Sequence, residues 1–313
     1  MIRYIIKRLL QSIITLFIVL TIVFFLMRLM PEEGYFGENY EKLDEVQRET
    51  ILTNMGLRNP IHIQLIDFYK GLFQGDLGKS IIYRPGVEIV GILKSKIPYS
   101  LKSGLAALMI SLIAGIPLGI SMALNKDKMW DSIGTGYIVF ISAFPSAVYY
   151  LFLQLYISDI FKLPVLFNVD DMRSWILPIV SMSLGGIASY AMWMRRYIID
   201  ELNKDYVKLA RAKGLNKKSI MVHHVLRNAF VPMVQYLPST ILFTISGSIY
   251  IESLYSIPGM GGLLVDVIQR QDNTLVQAIV LIYSSIGIFG LFTGDILMVL
   301  LDPRIKIQRG GSR

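Results

Sequence analysis

Six long apolar runs, separated by polar and charged segments, organise this chain: Leu9–Met30, Leu101–Leu124, Ile133–Ile157, Trp175–Met194, Ala229–Ile251 and Leu275–Leu301. A hydrocarbon core takes about 20 apolar residues to cross as a helix, and each run reaches that length. The pattern therefore predicts an all-α membrane protein with six transmembrane helices. Pro117, Pro145, Pro178, Pro232, Pro238, Gly247, Gly287 and Gly290 interrupt the later runs. In lipid, the backbone groups they free must find partners in neighbouring helices, so a packed bundle is expected rather than isolated anchors.

Between the first two runs lies a different pattern. In GLRNPIHIQLIDFYKGLFQ, Ile61, Leu65, Phe68 and Leu72 recur at helical spacing and Gly75 closes the stretch. This predicts an amphipathic helix inside a small, largely helical subdomain. Its acidic start, with Glu32, Glu33, Glu38, Glu41, Asp44 and Glu45, reads as a solvated face. The expected organisation is a first helix plus this subdomain over 1–98, a five-helix core over 99–302 with a loop at 195–228, and a tail over 303–313.

Charge orients the chain. Segments 1–8, 125–131, 195–228 and 302–313 hold 18 of the 31 Lys and Arg residues, whereas the short segments 159–174 and 253–273 hold only Lys162, Arg173 and Arg270. Basic loops stay cytoplasmic, so both termini are expected inside. Segment 31–98 is long enough to cross regardless of its charge, and is expected outside. Arg3, Lys7 and Arg8 ahead of the first run also fit a signal peptide, but the run is too long for one and MRLMPEE has no small-x-small cleavage site.

Composition agrees: 53% of residues are hydrophobic and 17% charged, too apolar for an ordinary soluble domain. The net charge of +8 is accounted for by loop placement and needs no nucleic acid. With no cysteine there are no disulfides, thiolate metal sites or cysteine nucleophile.

GDLGKS ends in the letters of a phosphate-binding loop. A true P-loop needs glycine five residues before Gly78, and that position is Phe73. The spacing is wrong and the stretch is expected outside, so no nucleotide site is expected. His62 stands alone, and adjacent His223 and His224 cannot face one way on a helix, so no metal site is expected either. No paired carboxylates, Ser-His-Asp set or HExxH motif points to catalysis.

The long inner loop, DYVKLARAKGLNKKSIMVHHVLRNAFVP, predicts a helix bearing a basic stripe of Lys204, Lys208 and Arg211, with Tyr206 and Ala210 on another face. Gly214 then stops the helix as a left-handed cap, and Asn216 caps a second helix. A helix–glycine–helix elbow can dock a partner protein. Alternatively, the stripe can touch anionic lipid, worth about 1 kcal/mol per residue. The residues by themselves leave both readings open.

ARAKGL followed by HHVLRNAFVP resembles the cytoplasmic loop of ATP-binding cassette (ABC) importer permeases, in the binding-protein-dependent oligopeptide, dipeptide and nickel branch. GDLGKS, IESLYSIPGMGGLL and LDPRIK resemble further segments of that branch, in order along nearly the whole chain. Against the general pattern E-A-A-x3-G-x9-I-x-L-P, only Ala210, Gly214 and Leu226 fit; Lys208, Leu209, His224 and Arg227 depart from it.

The resemblance implies a type I importer permease in a bacterial cell membrane, contacting lipid and no nucleic acid. It would pair with a second, similar permease, so that a heterodimer is expected. Two separate cytoplasmic ATPase subunits would bind ATP and Mg, with no cofactor in this chain, and an external substrate-binding lipoprotein would deliver cargo. The cargo would be short peptides, with nickel or another small solute as the alternative. Tyr206, Ala210, Arg211, Ala212, Lys213, Gly214 and Leu215 would form the ATPase-coupling loop.

Ionisable residues within spans are functional candidates because their desolvation is costly. Asp295 is a candidate for the path, or for pairing with a basic residue of the second permease. Glu252, Pro258 and Gly259 are candidates for a gate at the outer mouth, though Glu252 also reads as a helix-end carboxylate facing water. Arg28 and Lys102 are near enough to the outer interface to snorkel. A secondary transporter would need matched inverted halves and more buried carboxylates than Asp295 supplies. A membrane scaffold or receptor would leave the elbow unexplained.

Overall fold

A computed structural model describes residues 2–301. The tail and most of LDPRIK therefore lie outside the described residues. Among those described there are only helices and turns, apart from one antiparallel bridge between Lys79 and Glu88.

The chain enters as α1 (Ile2–Arg28), followed by 3-10 turns, α2 (Glu45–Asn54) and α3 (Ile61–Gln74). The core consists of α4 (Ile89–Leu124), α5 (Met129–Ala143), α6 (Ser146–Phe152), α7 (Ser158–Phe161), α8 (Ile176–Leu202), α9 (Asp205–Ala212), α10 (Lys217–Ser219), α11 (Arg227–Ser246), α12 (Ile249–Tyr255), α13 (Met260–Gln269) and α14 (Asn273–Leu301). Helix α4 packs along α8, and α14 along both α11 and α1. Where α4 crosses α8, Gly119 brings the helices so close that a Cβ there would lie 2.5 Å from the Ala191 carbonyl.

Five of the six expected spans are long apolar helices, and the third is a bent pair: α5 meets the α6–α7 rod at 102°. The break falls at Phe144, whose extended backbone (φ −100°, ψ 139°) is the conformation a following proline, Pro145, imposes. The fifth span is also broken. Beyond α11, Gly247 adopts φ +70°, ψ −175°, open to glycine alone, and the chain restarts as α12.

Helix α4 is 36 residues long and begins at Ile89, well before the expected start of the second run. Lys94 and Lys96 mask the helix in the hydropathy pattern, and Pro98 is carried within it. Ile89, Ile92 and Leu93 are buried against Met27, Met260, Leu263, Val267 and Leu275, so packing decides the helix start.

The predicted stripe on α3 is present, and Gly75 closes the helix at φ +74°. Rather than standing apart, α3 lies along the outer half of α1. Phe68 packs on Phe24 (5.3 Å between ring centres), Tyr69 stacks on Phe17 (4.9 Å), and Tyr69 Oη lies 2.7 Å from Thr21 Oγ1. Arg28 does not snorkel freely: it donates to Gln64 Oε1 (2.7 Å) and Tyr35 Oη (3.2 Å). Lys102 sits over the Trp175 ring at 4.4 Å.

Two of the acidic residues read as a solvated face have structural partners. Asp44 accepts from the Gln47 amide at 2.7 Å while Gln47 returns the bond, making a capping box for α2. Glu32 and Glu49 both pair with Arg58.

Candidate functional site

The cytoplasmic elbow is built as its local sequence directs. Helix α9 ends where Gly214 turns at φ +77°; its amide bonds the Arg211 carbonyl (3.0 Å) and the next amide, of Leu215, bonds Ala210 (3.2 Å). Asn216 Oδ1 then accepts from the Ser219 amide at 2.7 Å, capping α10. A π-helical turn, Ile220–Leu226, joins α10 to α11, so the elbow is continuous with the fifth span.

Its two faces differ. Val207 is fully buried and Ala210 is 6% exposed, in one apolar cluster with Met194 and Ile198 of α8 and Ala229 and Met233 of α11. Ala210 is thus small because its own chain packs on it. Outward, Arg211, Ala212, Lys213 and Gly214 are exposed, with Leu209 at 57% and Leu215 at 42%. Of the basic stripe, Lys208 pairs with Asp205 at 2.8 Å and Lys204 occupies the N-cap position, just outside the helix.

Tyr206 ties the elbow to two spans. Its hydroxyl bonds the Glu201 carboxylate at the end of α8 and accepts from Asn228 Nδ2 (2.9 Å) at the start of α11. Burial, and the bond to Glu201, push its phenol above the usual range. The side chains that position it, Glu201 and Asn228, drew no attention in the sequence because neither lies on a periodic face.

The outer-mouth residues meet around Glu252, which is 1% exposed rather than facing water. Its Oε1 accepts from Ser100 Oγ (2.7 Å) and the Ser248 amide (3.3 Å), and its Oε2 from the amides of Gly261 (2.7 Å) and Gly262 (3.1 Å). Ser100 Oγ in turn accepts from the Met260 amide at 2.7 Å. The carboxylate thereby satisfies the first turn of α13 and anchors it to α4. A side chain at Gly247 or Gly259 would collide with it. Gly259 is buried and Pro258 half-buried in the same turn.

Asp295 is paired, but within the chain: Arg8 Nε of α1 lies 3.4 Å from its Oδ2. The antiparallel packing of α1 on α14 supplies the basic residue.

GDLGKS holds an anion after all, and the anion is another side chain. Asp272 Oδ2 accepts from Ser80 Oγ (2.6 Å) and from three consecutive amides, Ile81 (3.2 Å), Ile82 (3.0 Å) and Tyr83 (2.9 Å). Its Oδ1 accepts from the Leu275 amide (3.2 Å) and so caps α14. Burial alone would raise the carboxyl, yet the Ser80 hydroxyl and the converging amides hold it below the usual range. An Asp-Asn pair before an apolar run is an N-cap signal that could have marked Asp272. His62 lies on α3, while His223 and His224 lie on the π-turn of the elbow. Among the described residues no group of three or more His, Cys, Asp or Glu side chains converges as a metal site would require.

Comparison with known proteins gives this arrangement a family. Residues 115–307 match the binding-protein-dependent transport system inner membrane component, and residues 1–83 match the N-terminal part of the binding-protein-dependent transport system membrane component. The chain is 38% identical over 222 residues to the oligopeptide transport system permease protein AmiC of Streptococcus pneumoniae, covering 70% of this chain and 44% of that protein. It thus spans less than half of AmiC. It is 32% identical to the oligopeptide transport system permease protein OppB of Escherichia coli and 30% identical to the dipeptide transport system permease protein DppB of Lactococcus lactis, covering 98% of this chain and 100% of each relative.

Among solved structures, an amino acid ABC transporter with histidines matches with TM-score 0.52 at 18% identity, over 69% of this chain and 95% of the other. The MetNI methionine ABC transporter in inward-facing form matches with TM-score 0.52 at 13% identity, over 68% and 97%. These likenesses concern the fold alone. With matches along nearly its whole length, the chain belongs to the family of binding-protein-dependent transport system inner membrane components.

Proposed function

We propose that this protein is one membrane half of an ATP-driven importer of short peptides. It pairs with a second permease of the same family, most simply a different chain. Two cytoplasmic ATPase subunits dock on the elbow and bind ATP and Mg, while this chain holds no cofactor. An external binding lipoprotein delivers the peptide to the outer face. The observation that carries the cargo is the full-length similarity to an oligopeptide and a dipeptide permease.

The elbow's exposed face is suited to protein docking more than to lipid. Leu209 and Leu215 would gain by burial in a groove, while Arg211 and Lys213 flank them to pair with acidic residues. With Tyr206 gripping α8 and α11, movement of a docked ATPase would pass directly to two spans. Asp295, Glu252, Pro258 and Gly259 act in this reading as fixed points around which those spans move.

Uptake of labelled di-, tri- and hexapeptides and of nickel, in cells with and without this protein, tests the proposal. Loss of peptide uptake alone is expected. Unchanged peptide uptake in cells with no redundant system would overturn the cargo. Purification of the assembled complex without any ATPase would overturn the coupling.

A further inference from the structure

The surfaces this chain exposes at membrane depth are of two chemical kinds. Along α1 and α6 the large exposed side chains are pure hydrocarbon: Ile13, Phe17 and Ile18 are 53%, 55% and 50% exposed, Val148, Leu151 and Phe152 55%, 47% and 56%. That composition matches lipid tails. The groove between α8 and α11 is different. It carries Trp193 (40% exposed) and Tyr236 (60% exposed), with Trp193 stacked on Tyr197 at 5.8 Å, Tyr190 against Thr240 and Tyr197 near Tyr236.

Depth makes the contrast informative. Tyr236 lies about 14 Å along α11 from Arg227 and about 15 Å from Ser246, at the helix middle. Among the described residues its hydroxyl has no hydrogen-bond partner. A half-exposed, unpartnered hydroxyl at mid-bilayer is costly against hydrocarbon and costs little against water or a polar ligand.

We infer that the α8–α11 groove lines the water-filled translocation path, and that Tyr190, Trp193, Tyr197, Tyr236 and Thr240 form an uncharged contact strip for a peptide in transit. The inference rests on the reading of the chain as a peptide permease. Hydroxyls both donate and accept, so they match the N–H and C=O groups that every peptide carries. Aromatic faces accept varied apolar side chains without demanding one shape. Because the strip has no formal charge, it does not select among charged side chains. Recognition of this kind tolerates sequence, as a carrier of mixed peptides requires. The strip's cytoplasmic end is marked by Arg196, which lies over Trp193 at 5.4 Å.

The absence of cysteine makes the test direct, since each introduced thiol on this chain reports alone. Trp193→Cys, Tyr236→Cys and Thr240→Cys, with Ile13→Cys and Leu151→Cys as lipid-facing references, are assembled into the complete complex in native membranes. They are treated with a charged, membrane-impermeant thiosulfonate, and labelling is read on this chain. Strip thiols should react about tenfold faster or more than the references, because only a hydrated thiol ionises to the reactive thiolate. A hexapeptide with its binding protein should slow that labelling, and a nickel salt should not.

Strip thiols as unreactive as the references would overturn the path, whether lipid or a sealed seam with the second permease covers them. Protection by nickel and not by peptide would overturn the peptide contact. Labelling needs no transport, so the two proposals fail separately: absent peptide uptake with a reactive strip removes the cargo, and intact uptake with an unreactive strip removes the path. Tyr236→Phe supplies a second readout, with the complex assembled at wild-type level and the concentration for half-maximal uptake raised several-fold; an unchanged value would count against the contact.

Discussion

Ser80 and Asp272, 192 positions apart, are joined by a 2.6 Å hydrogen bond from the serine hydroxyl to the buried carboxylate. This contact closes the turn after GDLGKS onto the start of α14. Replacing Asp272 with alanine strands the Ser80 hydroxyl and three amides, each a loss of about 1–3 kcal/mol if left unsatisfied. The expected result is faster cleavage after Lys79 by trypsin added from outside, with Asp272→Asn intermediate, in sealed vesicles of known orientation; Arg84 precedes Pro85 and stays uncut.

The pH dependence of that latch follows from the same bonds. Because the Asp272 carboxyl is held low in the folded protein, its contribution is fully present above the unfolded value of about 3.9 and fades only as pH falls below it. Trypsin-accessible turn should therefore be constant from neutral pH down to mild acidity. A limited-proteolysis series using an acid-tolerant protease at lower pH should then reveal opening; opening already near neutrality would contradict the assignment.

Gly214 makes a separate prediction for the elbow. Its φ of +77° excludes proline, and its amide is used by Arg211. Gly214→Pro should leave membrane insertion intact and uncouple the ATPases, seen as loss of substrate-stimulated hydrolysis in the reconstituted complex. Unchanged stimulation would refute the elbow.

Tyr206→Phe removes a hydroxyl shared by Glu201 and Asn228 and little else. A cost of about 1–3 kcal/mol is expected in thermal stability of the inner end. The sharper expectation is less uptake per ATP hydrolysed with normal subunit stoichiometry, measured in proteoliposomes.

Around Glu252, Gly247→Ala adds a methyl where the carboxylate already lies and forces positive φ on a non-glycine residue. Strain of this kind costs about 1–3 kcal/mol. A lower melting temperature in detergent is expected, larger than for Gly136→Ala, where a Cβ meets nothing within 4 Å.

Much of this molecule was legible in the sequence for a physical reason: hydrocarbon demands length and apolarity locally. The spans, the amphipathic α3 with Gly75 behind it, and the elbow with Gly214 and Asn216 at its turn all follow from neighbours within a few residues. The 102° break at Phe144–Pro145 and the early start of α4 did not follow, because hydropathy averages over a break and lysines at 94 and 96 hide a helix that packing stabilises.

What only the tertiary structure decided is where the buried charges go. Asp295 found Arg8 within its own chain, Glu252 turned inward to hold the first turn of α13, and Asp272 met a loop nearly two hundred residues earlier. The sequence by itself marked Asp295, inside an apolar run, as a charge that needs a partner or a polar path, since a bare charge is not stable in an apolar interior; it left Glu252 between a gate and a water-facing helix end and did not single out Asp272. Which partner each took depended on contacts distant in the chain, where no local pattern reaches.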